Sequence, residues 1–298
     1  MNENSKVLIF GMGLMGGSLA LAIKKRYPRV SITGVVRSEK SKQEIINLKL
    51  ADHVYTETEF NKNLNWALFQ FVIFSTPVQS VVDYISRLPQ QSKTIFTDLG
   101  STKETIISAV DTHFLGSHNY VSSHPMCGSE FSGPSSAKQD LYQSKLCIVT
   151  RGKDTSLEAS DFVRNFWEAI GSWTLEMEGE EHDETLAYLS HLPHIISTLL
   201  VRTAIKNDTV RTQVNKSEKP ITGGGFRDMS RIAGSNFEMW FSIFAENQEN
   251  IYDSLVQFRR ELDTMIEHFD PKMKIEAEGI KSLWEKALFA KEEIQKLK

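Results

Sequence analysis

Cysteine is scarce. Only Cys127 and Cys147 occur, too few for a disulfide framework and not at metal-ligand spacing, so a reducing compartment, the cytoplasm, is the expected location. A charge excess of one sign is also lacking: 34 Lys plus Arg against 38 Asp plus Glu leave a net −4. Such a chain has no general field for drawing in nucleic acid or an anionic membrane, and neither is an expected partner. Any phosphate or carboxylate must be caught by local groups. Long apolar runs are missing as well. Residues 7–23 are uncharged and follow Lys6, but they hold four glycines and no small-residue cleavage site follows them, which argues against a secretory leader. Residues 63–82 are broken by Asn65, Gln70, Ser75, Thr76, Pro77, Gln79 and Ser80, whereas a bilayer span wants about 20 mainly apolar residues. There is no internal repeat and no low-complexity tract. What is present, 40% hydrophobic and 24% charged residues in a chain of 298, is soluble globular composition with material for about two domains at roughly 150 residues each.

Short apolar runs alternate with helical patterns through the first half. Strands are expected near Lys6–Phe10, Val30–Val36, Phe69–Phe74 and Lys93–Leu99, with helices over Leu14–Arg26 and Val78–Leu88; that alternation means a parallel sheet. A strand near Asn119–Ser122 leads into an irregular stretch, Ser123–Ser144, rich in Ser, Gly and Pro, and a loop of that length usually carries function. A strand at Lys145–Thr150, a helix over Ser156–Ile170 and a strand near Trp173–Met177 complete this part. From Glu180 onward apolar residues recur at three- and four-residue steps, so the second half is helical. Phe237, Trp240, Phe244, Ile251, Leu255, Phe258, Leu262 and Met265 fall on one stripe, which predicts one long amphipathic helix ended by Asp270-Pro271. A second amphipathic pattern covers Met273–Leu297. Aromatics on this stripe serve equally for a subunit interface or for packing inside one chain. The expected division is a nucleotide-binding part, 1–178, and a helical part, 179–298.

Gly11-Met12-Gly13-Leu14-Met15-Gly16 reads G-x-G-x-x-G, directly after an apolar strand and directly before a helical run. The first glycine permits a tight turn, the second lets backbone approach a pyrophosphate, and the third lets helix and strand pack closely, with the helix N-terminus facing the anion. An acid about 20 residues on would hold the ribose of NAD. Here stand Val36, then Arg37 and Ser38; a guanidinium and a hydroxyl without a carboxylate suit a 2′-phosphate, so NADP is the expected cofactor, with NAD the alternative if Glu39 supplies the acid.

Further polar groups follow later strands: Ser75-Thr76-Pro77 and Asp98-Leu99-Gly100-Ser101-Thr102-Lys103. In an open parallel sheet that edge faces the ligand crevice, although Ser75, Thr76 and Ser101 also suit helix capping. Ser123-His124-Pro125-Met126-Cys127-Gly128-Ser129-Glu130 opens the long loop. His124 can take a hydroxyl proton as hydride leaves the same carbon, or can be an ordinary polar loop residue. The helical half brings His182-Asp183 and Ser190-His191-Leu192-Pro193-His194; His191 and His194 share a helix face, but H-x-x-H without a third ligand is thin evidence for zinc and no metal is expected. Gly223-Gly224-Gly225-Phe226-Arg227-Asp228-Met229-Ser230-Arg231 sets two arginines behind a flexible turn, suited to carboxylate capture or to pairing with Asp228.

Taken in order, G-M-G-L-M-G-G-S, D-L-G-S-T-K, H-P-M-C-G-S-E, S-H-L-P-H and G-G-G-F-R-D-M-S-R-I-A resemble the prephenate and arogenate dehydrogenase family across most of the chain. The resemblance implies a doubly wound α/β Rossmann domain followed by an all-α dimerisation domain, a homodimer, and oxidative decarboxylation of prephenate to 4-hydroxyphenylpyruvate and CO2 in tyrosine biosynthesis. It makes His124 the catalytic base, Ser101 the residue that orients it, and Arg231 the anchor of a substrate carboxylate. His191, His194, Glu130, Asp228 and Trp240 match pocket-lining or gating positions, and Thr76 and Asp98 the nicotinamide side. Cys127 departs from a usually small or apolar position. His194 tilts the reading towards prephenate rather than arogenate, and any feedback by tyrosine is expected to act at the active site, since only Met1 to Ser5 precede the first strand and the ending leaves no room for a separate regulatory domain. Two rivals stand beside this reading: a 3-hydroxyacid dehydrogenase, for which no lysine motif lies near Ser190–Ser197, and a non-catalytic NADP-binding sensor.

Overall fold

A computed structural model describes residues 4–62, 65–128, 131–272 and 274–296. Its strands are β1 (Lys6–Phe10), β2 (Ser31–Val36), β3 (His53–Thr56), β4 (Phe71–Phe74), β5 (Ile95–Asp98), β6 (Val121–Pro125), β7 (Leu146–Arg151) and β8 (Trp173–Glu176). Helices α1 (Leu14–Arg26), α2 (Glu39–Asn47), α3 (Glu57–Asn61), α4 (Val78–Ile85), α5 (Glu104–His113) and α6 (Leu157–Ala169) alternate with them. Then follow α7 (Gly179–Leu186), α8 (Leu192–Lys206), α9 (Asp208–Lys216), α10 (Gly224–Ser230), α11 (Phe237–Glu246), α12 (Gln248–Glu267) and α13 (Ala277–Ile294). Contacts divide the chain into two compact units, 1–248 and 249–298.

In the first unit, β1 to β5 form a parallel sheet in the order β3-β2-β1-β4-β5. Both faces are covered, and the two-residue period of a strand explains how β1 serves both. Val7 and Ile9 point into one core, under α1 and α6 with Trp167 and Tyr142, while Leu8 and Phe10 point into the other. That second core is aromatic: the Phe10 ring lies 4.6 Å from Tyr84 and 5.9 Å from Trp66. Strand β3 has no counterpart in the apolar pattern of the sequence. It is an edge strand of four residues, none of them buried, too short and too polar to give that signal.

Strand order reverses between β1 and β4, so the loops after these two strands, Gly11–Gly13 and Ser75–Pro77, border the crevice where open α/β sheets take ligands. Beyond β5 the chain builds a second sheet, β6-β7-β8, with β6 antiparallel to β7 and β7 parallel to β8. A parallel bridge from Phe96 to Tyr120 and a 2.9 Å bond between the Thr97 and Ser123 hydroxyls lay β6 beside β5. That brings the end of β6, and His124, to the loop 99–103.

Helix α7 runs through a π turn, Ala187–His191, into α8. Pro193 has no N–H to return to residue 189, which accounts for the widened turn. The single long helix expected from the apolar stripe forms as two. Asn247, at φ −123° and ψ 35°, ends α11, and its buried side-chain amide donates to the Asp183 carbonyl at 2.7 Å. A buried polar bond formed at this point overrides the helical periodicity. The second unit holds nearly all of α12 together with α13. His268 packs on Gly279 where a side chain would collide with it, while Trp284, Leu288 and Phe289 are exposed. Among the described residues, no helix is long and apolar enough to cross a membrane.

Candidate active site

The glycine loop has the shape its sequence dictates. Gly11 takes φ +81°, and a side chain there would strike the Ser75 carbonyl; one at Gly16 would strike the Gly11 carbonyl. Gly13 differs, since nothing lies within 4 Å of a Cβ built on it. That open space sits at the N-cap of α1, where no side chain caps the helix and no acid occupies the first turn. The first N–H groups of a helix have no partners within it. Leu14 and Met15, both half-buried, therefore head a turn ready for an anion. Thr76, whose methyl abuts Gly11, keeps a buried hydroxyl without a hydrogen-bond partner among the described residues. These features fit a dinucleotide pyrophosphate.

At the end of β2, Val36 is buried and Arg37 is exposed, with no ion pair or hydrogen bond to another described residue. Ser38 is engaged as the N-cap of α2, accepting from Ser41 N. Asp98, expected to line the nicotinamide side, is fully buried, and its oxygens are spent internally. They accept from the Lys103 ammonium at 2.6 Å, Gly100 N at 2.8 Å, Tyr120 OH at 3.1 Å and the Ser122 hydroxyl. Lys103 is equally buried and also donates to Ser122 at 2.8 Å. Asp98 thus fastens the loop that carries Ser101 instead of facing a ligand. Burial, with Asp98 adding to it, pushes the Tyr120 phenol well above its ordinary range.

His124, half-buried at the end of β6, faces His182 of α7, its Nδ1 lying 2.8 Å from His182 Nε2. His182 Nδ1 lies 2.6 Å from Asp183 Oδ1. Asp183 is pinned in turn, because its oxygens accept from Lys103 N at 2.8 Å and Glu104 N at 3.0 Å. The same carboxylate therefore caps α5, which has no cap from its own N-cap side chain. Ser101 is half-buried beside this array, and among the described residues no hydrogen bond joins it to His124. Burial first, then the neighbouring His182, Lys103 and His191, holds the His124 imidazolium well below its usual range. Burial likewise lowers His182, against the opposing effect of Asp183. These effects favour the neutral form of the His124 ring.

A polar path continues from there. Asn247, bonded to the Asp183 carbonyl, also donates to His191 Nδ1 at 3.2 Å, and burial lowers His191 to about 4. The Trp240 ring stands edge-on to His191 and 3.9 Å, centroid to centroid, from His194. Its buried indole N–H has no hydrogen-bond partner among the described residues. His194 Nδ1 donates to the Ser190 carbonyl at 2.8 Å, so its Nε2 is left to accept. Burial, opposed by that bond, lowers the His194 pKa, and the nearby Arg231 charge lowers it further. Arg231, exposed at the end of α10, lies close enough to His194 for its charge to act there. Asp228 is exposed and, among the described residues, pairs with neither arginine. Glu130 lies outside the described residues. Cys127, its thiol pushed up to about 12 by burial, is no nucleophile. The sequence reading had left His182, Asp183, Lys103, Ser122 and Asn247 without roles; only the adjacent His182-Asp183 pair offered a signal. A groove of about 510 Å³ lined by Trp66, Phe69, Lys93 and Thr94 opens at the amino ends of β4 and β5, away from the histidines.

Comparison with known proteins agrees with this geometry. Residues 19–175 match the family described as prephenate dehydrogenase, nucleotide-binding domain, and 178–277 match prephenate dehydrogenase, dimerization domain. A prephenate dehydrogenase of Bacillus subtilis (strain 168) is 33% identical over 260 residues, covering 86% of this chain and 68% of that protein. A cyclohexadienyl dehydrogenase of Zymomonas mobilis is 30% identical over 285 residues, covering 90% and 94%. The structure of prephenate dehydrogenase from A. aeolicus in complex with hydroxyphenyl propionate and NAD+ superposes with a TM-score of 0.83 at 29% identity, covering 97% of this chain and 98% of that one. With a neutral imidazole beside a dinucleotide crevice and both parts of the family pattern in sequence, the chain belongs to the prephenate dehydrogenase family.

Proposed function

We propose that this chain oxidises prephenate with loss of CO2, giving 4-hydroxyphenylpyruvate, and that His124 is the catalytic base. The observation that carries this is the neutral His124 ring, held by one nitrogen to His182 at 2.8 Å and left with the other for a substrate hydroxyl. Bound in the glycine-loop crevice, an oxidised nicotinamide dinucleotide supplies the hydride acceptor. Gly11, Gly13 and Gly16 shape the phosphate cradle, Leu14 and Met15 present helix N–H groups, and Thr76 offers its unpartnered hydroxyl. His124 Nε2 takes the hydroxyl proton as hydride leaves the ring carbon that bears it. The resulting dienone becomes aromatic when the ring carboxylate departs as CO2, and the proton held by His124 can return to the phenolate oxygen. Arg231 binds a carboxylate, supported by its charge acting on His194, and Ser101 approaches the reacting hydroxyl from the loop fixed by Asp98. His191 and Asp228 complete the pocket.

NADP is the cofactor we favour, because Arg37 is exposed at the end of β2 without an ion pair among the described residues, and Glu39, the acid that follows it in sequence, lies 3.7 Å from Lys42. Arg37→Ala should raise the KM for NADP about tenfold or more and leave that for NAD nearly unchanged; equal effects on both would remove the argument. We further infer a homodimer through the helical part, 179–298. The exposed apolar residues Leu199, Ile205, Val214, Phe237 and Phe241 support it. A cytoplasmic location is part of the same reading, supported by the free cysteines Cys127 and Cys147. The activity is tested by mixing protein, prephenate or arogenate, and NADP or NAD, and following absorbance of the reduced nicotinamide. Reduction with prephenate is expected; none with either substrate would leave a dinucleotide sensor.

A further inference from the structure

We propose that His182, held by Asp183, is the positioning residue for His124: it fixes the tautomer of the base and takes up positive charge as the base is protonated. This rests on His124 acting as the base. The two oxygens of Asp183 accept backbone N–H bonds from Lys103 and Glu104. With Oδ1 an acceptor, the 2.6 Å bond to His182 is donated by His182 Nδ1–H, and a neutral His182 then has a bare Nε2. Two lone pairs cannot face each other at 2.8 Å, so His124 Nδ1 carries the hydrogen and donates it. His124 Nε2 is left unprotonated, the state a base requires. An isolated imidazole divides between two tautomers; here a chain of three groups selects one.

The same chain balances the charge of the proton-transfer step. When Nε2 accepts the hydroxyl proton, the Nδ1 proton can cross to His182 Nε2. The positive charge then adjoins the Asp183 carboxylate, while His124 is neutral again with the substrate's proton on Nε2. Asp183 cannot swing away, because α5 and the chain at 103–104 hold both its oxygens, and Asn247 holds its carbonyl. Its role is therefore double: it caps a helix and anchors the imidazole.

His182→Leu, His182→Gln and wild type separate this from a purely structural role. Leucine removes the acceptor. The Oε1 of glutamine can stand where Nε2 stood and accept the His124 Nδ1–H. His182→Leu should lower kcat by about 10²-fold, with the prephenate KM and the dissociation constant of the dinucleotide changed less than about threefold. His182→Gln should recover at least about tenfold of that loss. A His182→Leu kcat within about twofold of wild type, or a glutamine variant no better than leucine, overturns the proposal. Should the leucine variant not fold, the nitrogen NMR shifts of His124 in the wild type decide: a hydrogen on Nδ1 supports the proposal and one on Nε2 overturns it. The NMR measurement needs no turnover, so it stays separate from the outcome in which wild type does not oxidise prephenate and the base reading itself fails.

Discussion

Lys103→Met is the substitution whose cost the structure defines most sharply. The ammonium and the Asp98 carboxylate are both fully buried and 2.6 Å apart. Removing the cation leaves Asp98 with only the hydroxyls of Ser122 and Tyr120 and one backbone N–H. Breaking a buried pair from one side costs roughly 3–5 kcal/mol, since an uncompensated charge is left in low dielectric. That is a fifth or more of a stability of about 5–15 kcal/mol. With a urea dependence of about 3 kcal/mol per molar, a 4 kcal/mol loss moves the unfolding midpoint down by about 1.3 M. Fluorescence and circular dichroism should be followed together, because a chain of two units need not unfold in one step. The double variant Asp98→Asn/Lys103→Met removes both charges and should regain about 1–3 kcal/mol over the single one. A midpoint shift below about 0.3 M, or a double variant less stable than the single, would refute the reasoning that this pair is an obligate buried couple.

Arg231→Gln should raise the prephenate KM about tenfold or more with a much smaller change in kcat, because it removes a contact made both before and during reaction; steady-state kinetics with an unchanged KM would reassign Arg231. The pH profile follows from His124. Burial, His182, Lys103 and His191 all disfavour its imidazolium, and only the neutral ring can accept a proton. The logarithm of kcat/KM should therefore stay flat as pH falls through 6.5 and decline only below it. An acid limb centred at or above pH 6.5 contradicts the burial argument.

Much of the α/β part was legible because its signals are local. Gly11 to Gly16 lie next to one another, and the strand and helix that flank them carry their own periodicity. His124 was legible through the motif around it. Its partner was not: His182 is 58 residues away, and only the packing of α7 against the start of α5 brings the two rings together. The burial of Lys103 was not legible for a different reason: it depends on Asp98 and Ser122 reaching the ammonium from two different strands. Asn247 shows the limit of periodicity, since the stripe from Phe237 to Met265 carries no sign that one buried amide bond interrupts it. Asp98 sits at the strand end that usually faces ligand, and only the three-dimensional count of its partners shows that it faces inward.

The account stands on His124 removing a proton through its free nitrogen, and the single-turnover rate of nicotinamide reduction by His124→Asn, at saturating prephenate and cofactor, tests that most directly. The rate should fall by about 10²–10⁴-fold while the dissociation constant of the dinucleotide stays within about twofold of wild type. A variant that reduces the nicotinamide at near the wild-type rate would contradict the claim, as would one that loses cofactor affinity in step with its rate.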